Sequence, residues 1–165
     1  DVLIEALAKW PQSTMPFPTV HLVGVDDGSR TSKNLLQKAS RMLSPEHCNK
    51  VHFEPPTSRQ KLSHYYQAAD LYVLPSRSEG FNVSLLEAAA CGCRIVATDV
   101  GGNRSIAELE GNQCIEPEDP GALQEAIFSA MQTTDQRNLN TYTRIKEQYS
   151  FEAMAARLVS VYESM

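Results

Sequence analysis

The sequence predicts an α/β domain, doubly wound on a parallel sheet. Three observations carry that prediction. Short runs of β-branched and aliphatic residues alternate with segments of helical spacing. The connections between them are short and contain Gly, Pro, Asp and Ser. Two of the strand candidates, "DLYVLPS" and "RIVAT", are almost wholly apolar. Such runs mark strands covered on both faces, as in parallel sheets with helices above and below.

In chain order, "DVLIEALAKW" (1–10) has apolar spacing suited to a helix, closed by Pro11. "PTVHLVGV" (18–25) is a β-branched run ending at Gly24, followed by the turn residues "DDGS". "TSKNLLQKASRML" (31–43) is amphipathic, with Ser and Thr near its start. "KVHFEP" (50–55) is a strand stopped by two prolines, and "SRQKLSHYYQAA" (58–69) is a helix capped by Ser58 or Thr57. The strand 70–76 leads through a loop into the helix Val83–Ala90, then into the strand 94–98 and the turn "DVGGN". A short helix, "RSIAEL", precedes the strand "QCIEP". "DPGALQEAIFSAMQ" opens with Asp119 as N-cap and Pro120 at the first helical position. Helical stretches at 135–148 and 151–163 follow. Tyr65, Tyr66, Phe128 and Phe151 sit at helical spacings that predict core packing.

The length, 165 residues, suits one domain spanning 1–165. Hydrophobic residues at 42% and charged residues at 21% indicate a globular chain. A net charge of −5 without a basic tract argues against nucleic acid as a partner. No apolar run approaches the roughly 20 residues of a membrane span. The start lacks a basic n-region and a cleavage site and falls inside a helical pattern, with no strand ahead of it. A piece of a longer protein is expected. Cys48, Cys91, Cys93 and Cys114 form no paired metal knuckles and are expected as reduced thiols of a cytoplasmic protein. No G-x-G-x-x-G follows a strand, which excludes a dinucleotide-binding oxidoreductase.

The stretch "LPSRSEGFNVSLLEAAACG" (74–92) holds the chemistry. It lies at a strand's carboxyl end, where open parallel sheets bind ligands. Gly80 permits a sharp turn and close approach of backbone to a ligand. The helix that follows presents unpaired N–H groups and a positive dipole end, which favour an anion, and Ser84 adds a hydroxyl. Glu87 is the only charge on this helix, and its surface neighbours Val83, Ser84, Ala90 and Cys91 are all small or uncharged. A carboxylate there requires a salt bridge, a set of donors or a hydroxyl-rich ligand. Glu79 precedes it by eight positions, in the loop before Gly80.

"LYVLPSRSEGFNVSLLEAAACGCRIVATDVGGNRSIAE" closely resembles the donor-binding half of the retaining glycosyltransferases of family 4, which have the two-domain GT-B fold. Glu79 and Glu87 match that family's pair of glutamates separated by seven residues, with Pro-Ser before the first and Gly-Phe after it. "LIEALAKW", "HLVGVDDGSR", "VHF", "YYQAADLYVLPS", "GGN" and "PEDPGALQEAI" follow in the family's order. The resemblance implies a Rossmann-like C-terminal half of a GT-B glycosyltransferase, with its first strand and its N-terminal acceptor domain outside this chain.

The resemblance also implies the residues' roles. Glu87 would bind the ribose hydroxyls, and Glu79 would be the catalytic-site carboxylate meeting the transferred sugar from beneath. The backbone of Gly80, Phe81, Asn82 and Val83, with Ser84, would face the sugar and diphosphate, and Arg77 lies near enough to contact the donor. The family commonly has Gly and a bulky aliphatic where Asn82, Val83 and Ser84 stand, which leaves the donor's identity open. Arg104 and Ser105 follow Gly101-Gly102-Asn103 where the family commonly has Pro-Glu; Arg104 could contact a phosphate but reads better as a surface arginine. Asp26 or Asp27 could touch the base or ribose, though turn chemistry explains Asp-Asp-Gly without any ligand. Pro55, Pro56 and Thr57 match the region lining the base pocket. The implied donor is a nucleotide-diphosphate sugar, used without metal or other cofactor. Acceptor binding, and any peripheral membrane association, would belong to the missing N-terminal domain. A non-catalytic nucleotide- or sugar-binding module that kept the fold is the alternative.

Overall fold

A computed structural model describes residues 1–11, 15–25, 28–133 and 138–164. Helix starts follow the expected capping chemistry. Asp1 bonds the Val2 N–H at the start of α1 (Val2–Ala8), and Ser29 bonds Ser32 in α2 (Arg30–Met42). Ser58, not Thr57, caps α4 (Arg59–Ala68) by accepting from the Lys61 N–H. Asp119 accepts from Gly121 and Ala122 at the head of α7 (Pro120–Met131). A four-residue helix, α3 (Pro45–Cys48), was not expected. It is a Ser44 cap followed by Pro45 at the first position, too short for a periodic signal.

The strands are β1 (Val20–Val23), β2 (Val51–Glu54), β3 (Leu71–Leu74), β4 (Arg94–Thr98) and β5 (Gln113–Ile115). All pair in parallel, with Val20 opposite Val51, Leu71 opposite Arg94 and Val96 opposite Gln113. Their hydrogen bonds form two groups, β1–β2 and β3–β4–β5, rather than one continuous sheet. This split explains a second departure. The β3 run was expected to be covered on both faces. Leu71 and Val73 pack on one core and Tyr72 and Leu74 on the other, but all four are only half-buried, β3 being an edge strand among the described residues. β4, paired on both sides, is buried throughout.

β4 also shows the double winding. Its residues alternate between two cores, as strand geometry requires. Val96 packs in the cluster of α1 and α7 side chains, including Ile4, Leu7, Leu123 and Ile127. Trp10 joins that core between Phe17 and Phe128, at ring distances of 6.1 and 5.9 Å. Ile95 and Ala97 face the opposite core, formed with Leu85 and Ala89 of α5 (Val83–Ala90), Ile106 of α6 (Arg104–Ala107) and Ile145 of α8 (Leu139–Tyr149). The expected helix at 135–148 thus begins at Leu139 among the described residues. α9 (Phe151–Glu163) has no buried residue, and Phe151, expected in the core, is 85% exposed. Spacing identified an apolar side of α9, but among the described residues Phe151, Met154, Leu158 and Tyr162 stay exposed. Among the described residues, no helix is long and apolar enough to cross a membrane.

Candidate functional site

The carboxyl ends of β3 and β4 carry two loops that touch, 75–82 and 99–103. Thr98, the last residue of β4 and 1% exposed, donates its hydroxyl to the Ser76 carbonyl at 2.6 Å. The Ser76 hydroxyl in turn donates to Glu79 Oε1 at 2.7 Å. Asn103, fully buried, donates Nδ2 to the Thr98 carbonyl at 3.1 Å and so ties the second loop to the same strand end. The Gly102 N–H closes the contact by donating to the Gly80 carbonyl at 2.9 Å. The Glu79 carboxylate is therefore held by a neutral hydroxyl, and its support comes from the adjoining ends of β3 and β4.

Glu87 is held differently. Arg59, at the first position of α4, donates Nε and Nη2 to Glu87 Oε1 at 2.9 and 2.7 Å. The buried Tyr66 phenol interacts with the same carboxylate. Burial, then the neighbouring Tyr72 and Glu87, pushes the Tyr66 phenol well above the usual tyrosine range. Its backbone is fixed by Cys93, whose Sγ donates to the Tyr66 carbonyl at 2.8 Å.

The start of α5 lies between the two carboxylates. Asn82 caps the helix through Oδ1, which accepts from the Leu85 N–H at 3.0 Å and from the Ser84 hydroxyl at 2.5 Å. The Tyr72 hydroxyl completes this chain on Ser84 at 2.6 Å, and burial raises its pKa. The side chains of Asn82 and Ser84 are therefore occupied by the fold. The cap serves Leu85, while the N–H groups of Val83 and Ser84 belong to the helix's first turn, where no intrahelical acceptor exists. Phe81 and Val83 are exposed, at 49% and 53%.

Arg77 does not turn toward Glu79. Its Nη2 donates to Asp1 Oδ2 at 3.2 Å and its Nε lies 2.9 Å from Glu118 Oε1, bridging α1 to the loop before α7. Arg104 pairs with Asp99 and with Glu108, a surface arrangement. Asp26 and Asp27 lie outside the described residues. Among the described residues, no group of three or more His, Cys, Asp or Glu side chains is placed to hold a metal ion.

Sequence reasoning thus found both carboxylates but not Arg59, Tyr66 or Thr98, which engage them or their support. Ser76 stood in the Pro-Ser preceding Glu79, and Arg59 in the turn "FEPPTSRQKL", yet neither signal names a partner. Chemically, the arrangement offers two acceptor carboxylates on either side of a helix start that favours an anion. A ligand carrying vicinal hydroxyls, an anionic centre and further hydroxyls matches it.

Residues 1–148 match the family described as glycosyl transferases group 1. The chain belongs to that family. It is 29% identical over 170 residues to the D-inositol 3-phosphate glycosyltransferase of Jonesia denitrificans, an alignment covering 99% of this chain and 39% of that protein. The sucrose-phosphate synthase of Thermosynechococcus elongatus superposes with a TM-score of 0.79 at 26% identity, over 99% of this chain and 41% of the other. Anabaena HepE, solved in complex with UDP-glucose, has the same fold, with a TM-score of 0.81 at 23% identity over 99% and 44%. The group 1 chain described here thus has the Rossmann-like α/β fold of the C-terminal domain in GT-B glycosyltransferases. It spans about two fifths of the Jonesia relative's length.

Proposed function

We propose that this chain is the donor-binding domain of a retaining glycosyltransferase of hexosyltransferase type. The whole enzyme carries a sugar from a nucleotide-diphosphate sugar to an acceptor hydroxyl. The observation that carries the reading is the pair of separately held carboxylates, Glu79 on Ser76 and Glu87 on Arg59 and Tyr66, on either side of the α5 start. Glu87 receives the ribose hydroxyls, the first turn of α5 receives the diphosphate, and Glu79 meets the sugar. In the reaction the acceptor oxygen bonds the anomeric carbon on the face the leaving group vacates. The bond to the diphosphate breaks with its electron pair on oxygen, and the acceptor proton goes to that leaving group. Helix-terminal N–H groups stabilise the developing diphosphate charge, and no metal is called for.

A first strand upstream of α1 also belongs to this reading. In the doubly wound order the first strand lies between the second and the fourth. β1 and β3 have the places of those two, and each is an edge of its hydrogen-bonded group. The basic side chains for the diphosphate, the acceptor site and the partner domain lie outside the chain in the same reading. A cytoplasmic location follows from its thiols.

The test is a titration of the chain with UDP, GDP and ADP, followed by amide shifts, for wild type and Glu87→Ala. One diphosphate should perturb residues 79–87 in wild type and bind Glu87→Ala more weakly. Equal binding by both proteins would remove Glu87 from the ribose site. Transferase turnover by the full-length protein separates an enzyme from a binding module.

A further inference from the structure

We propose that Gly101 is a positioning residue for Glu79: the absence of its side chain sets where that carboxylate stands beneath the sugar. The inference rests on the reading of Glu79 given above. Gly101 has φ +54°, and a Cβ built on it would lie 2.1 Å from the Glu79 carbonyl oxygen and 2.7 Å from that of Gly80. Both atoms are backbone, so no rotamer change relieves the overlap, and the 79–80 peptide itself must move. At Gly102 a Cβ would meet the Phe81 ring at 3.0 Å and the Gly80 carbonyl at 3.3 Å. The Gly102 N–H bond to the Gly80 carbonyl draws the two loops together at this point. One turn therefore serves as a backbone floor under the Glu79–Gly80 peptide.

The floor is itself anchored. Asn103 spends a fully buried carboxamide on the Thr98 carbonyl at the end of the turn. Thr98 reaches back to Ser76, whose hydroxyl holds the carboxylate. Glu79 is thus fixed at both ends, its backbone by Gly101 and Gly102 and its carboxylate by Ser76. Displacing the peptide detaches the carboxylate from the sugar and leaves the α5 helix and Glu87 where they are.

That separation supplies the experiment. The affinity of the chain is measured calorimetrically for UDP, GDP and ADP and for the glucose ester of each, and the gain on adding glucose is compared among variants. In wild type the gain is expected at roughly tenfold, the scale of a hydrogen bond to a charged group. Glu79→Ala and Gly101→Ala should each abolish it while leaving affinity for the bare nucleotide within about twofold, inside ordinary context effects. In the Glu79→Ala background, Gly101→Ala should change nothing further. Thr98→Val, which keeps the side-chain volume and removes the hydroxyl, tests the same seat should Gly101→Ala fail to fold. Gly92→Ala, at the far end of α5, should lower Tm and keep the glucose gain. Retention of the gain in both Gly101→Ala and Thr98→Val, with Glu79→Ala lacking it, overturns the positioning role alone. A further loss in the double variant overturns it as well. Absence of any gain in wild type, or its survival in Glu79→Ala, overturns the reading of Glu79 and this inference with it.

Discussion

Glu79 and Glu87 stand eight positions apart, and the fold holds them by different physics. Glu79 sits in a loop, on a neutral hydroxyl, with its peptide pressed on a glycine turn. Glu87 sits on a helix and answers to an exposed cation and a buried phenol. Arg59 is 81% exposed and both its hydrogen bonds fall on Oε1. The difference separates accuracy from exchange. A carboxylate beneath a reacting sugar must be in place before the sugar arrives. One that clasps a ribose must let another partner go, and an exposed ion pair is a cheap partner to release.

The largest effect should come from the accurate seat. Glu79→Ala in the full-length enzyme should lower kcat by about 10²-fold or more, the scale of losing one preorganised group at a developing charge. KM for the donor should rise by the roughly tenfold that the sugar contact contributes to binding, on top of the fall in kcat, and initial-rate kinetics separates the two. A fall in kcat/KM produced only through KM would make Glu79 a ground-state binding group instead. Next comes the exchange seat. Glu87→Ala should weaken nucleotide and nucleotide-sugar binding by the same factor, about tenfold or more. A loss confined to the sugar-bearing ligand would reverse the two assignments.

These contrasts show which parts of the molecule the chain's order revealed. β4 was legible because Ile95, Val96 and Ala97 are apolar in succession, which calls for cover on both faces, and they pack into the two opposite cores. Asp119 before Pro120 fixed a helix start for reasons internal to three residues. A lone charge among Leu and Ala demands a partner, and Glu87 has one in Arg59. Which partner was not legible. Arg59 lies 28 positions away on another helix, and only the packing of α4 beside α5 brings it there. The split between β1 and β3 escaped for a related reason: strand runs read equally well in one sheet or two. Phe151 has the spacing of a core residue, but spacing names a face of α9 without naming what covers it.

The phenol behind Glu87 offers a smaller effect with a pH signature. Tyr66→Phe removes the hydroxyl that interacts with the carboxylate and should weaken nucleotide binding about fivefold, near 1 kcal/mol. Its folded pKa is raised above the ordinary value of 10.0. The stability contributed by the neutral phenol is therefore present in full below pH 10 and is lost as pH rises toward the folded value. Denaturant titrations from pH 8 to about 11 should show a steeper alkaline loss for wild type than for Tyr66→Phe. Parallel curves would mean that the hydroxyl is as free to ionise in the folded chain as in the unfolded one.

Arg59→Ala should have the smallest effect, and its sign decides how the exchange seat works. Both guanidinium bonds end on Oε1, so a ribose that takes both carboxylate oxygens must displace Arg59 from one of them. An exposed pair contributes about 0–1 kcal/mol, so removing the arginine should tighten nucleotide binding by no more than about fivefold. Salt should mimic the substitution on this pair, because screening weakens an exposed contact before it touches the buried Tyr66 interaction. Calorimetry with the diphosphate that binds, at low and at high salt, therefore has a definite expectation. The advantage of Arg59→Ala over wild type should shrink as salt rises. A tenfold loss of affinity in Arg59→Ala would show the opposite design, in which the guanidinium stays and grips the ligand itself. Glu87 would then orient a cation for the donor, and the two carboxylates would differ in what they hold as well as in how they are held.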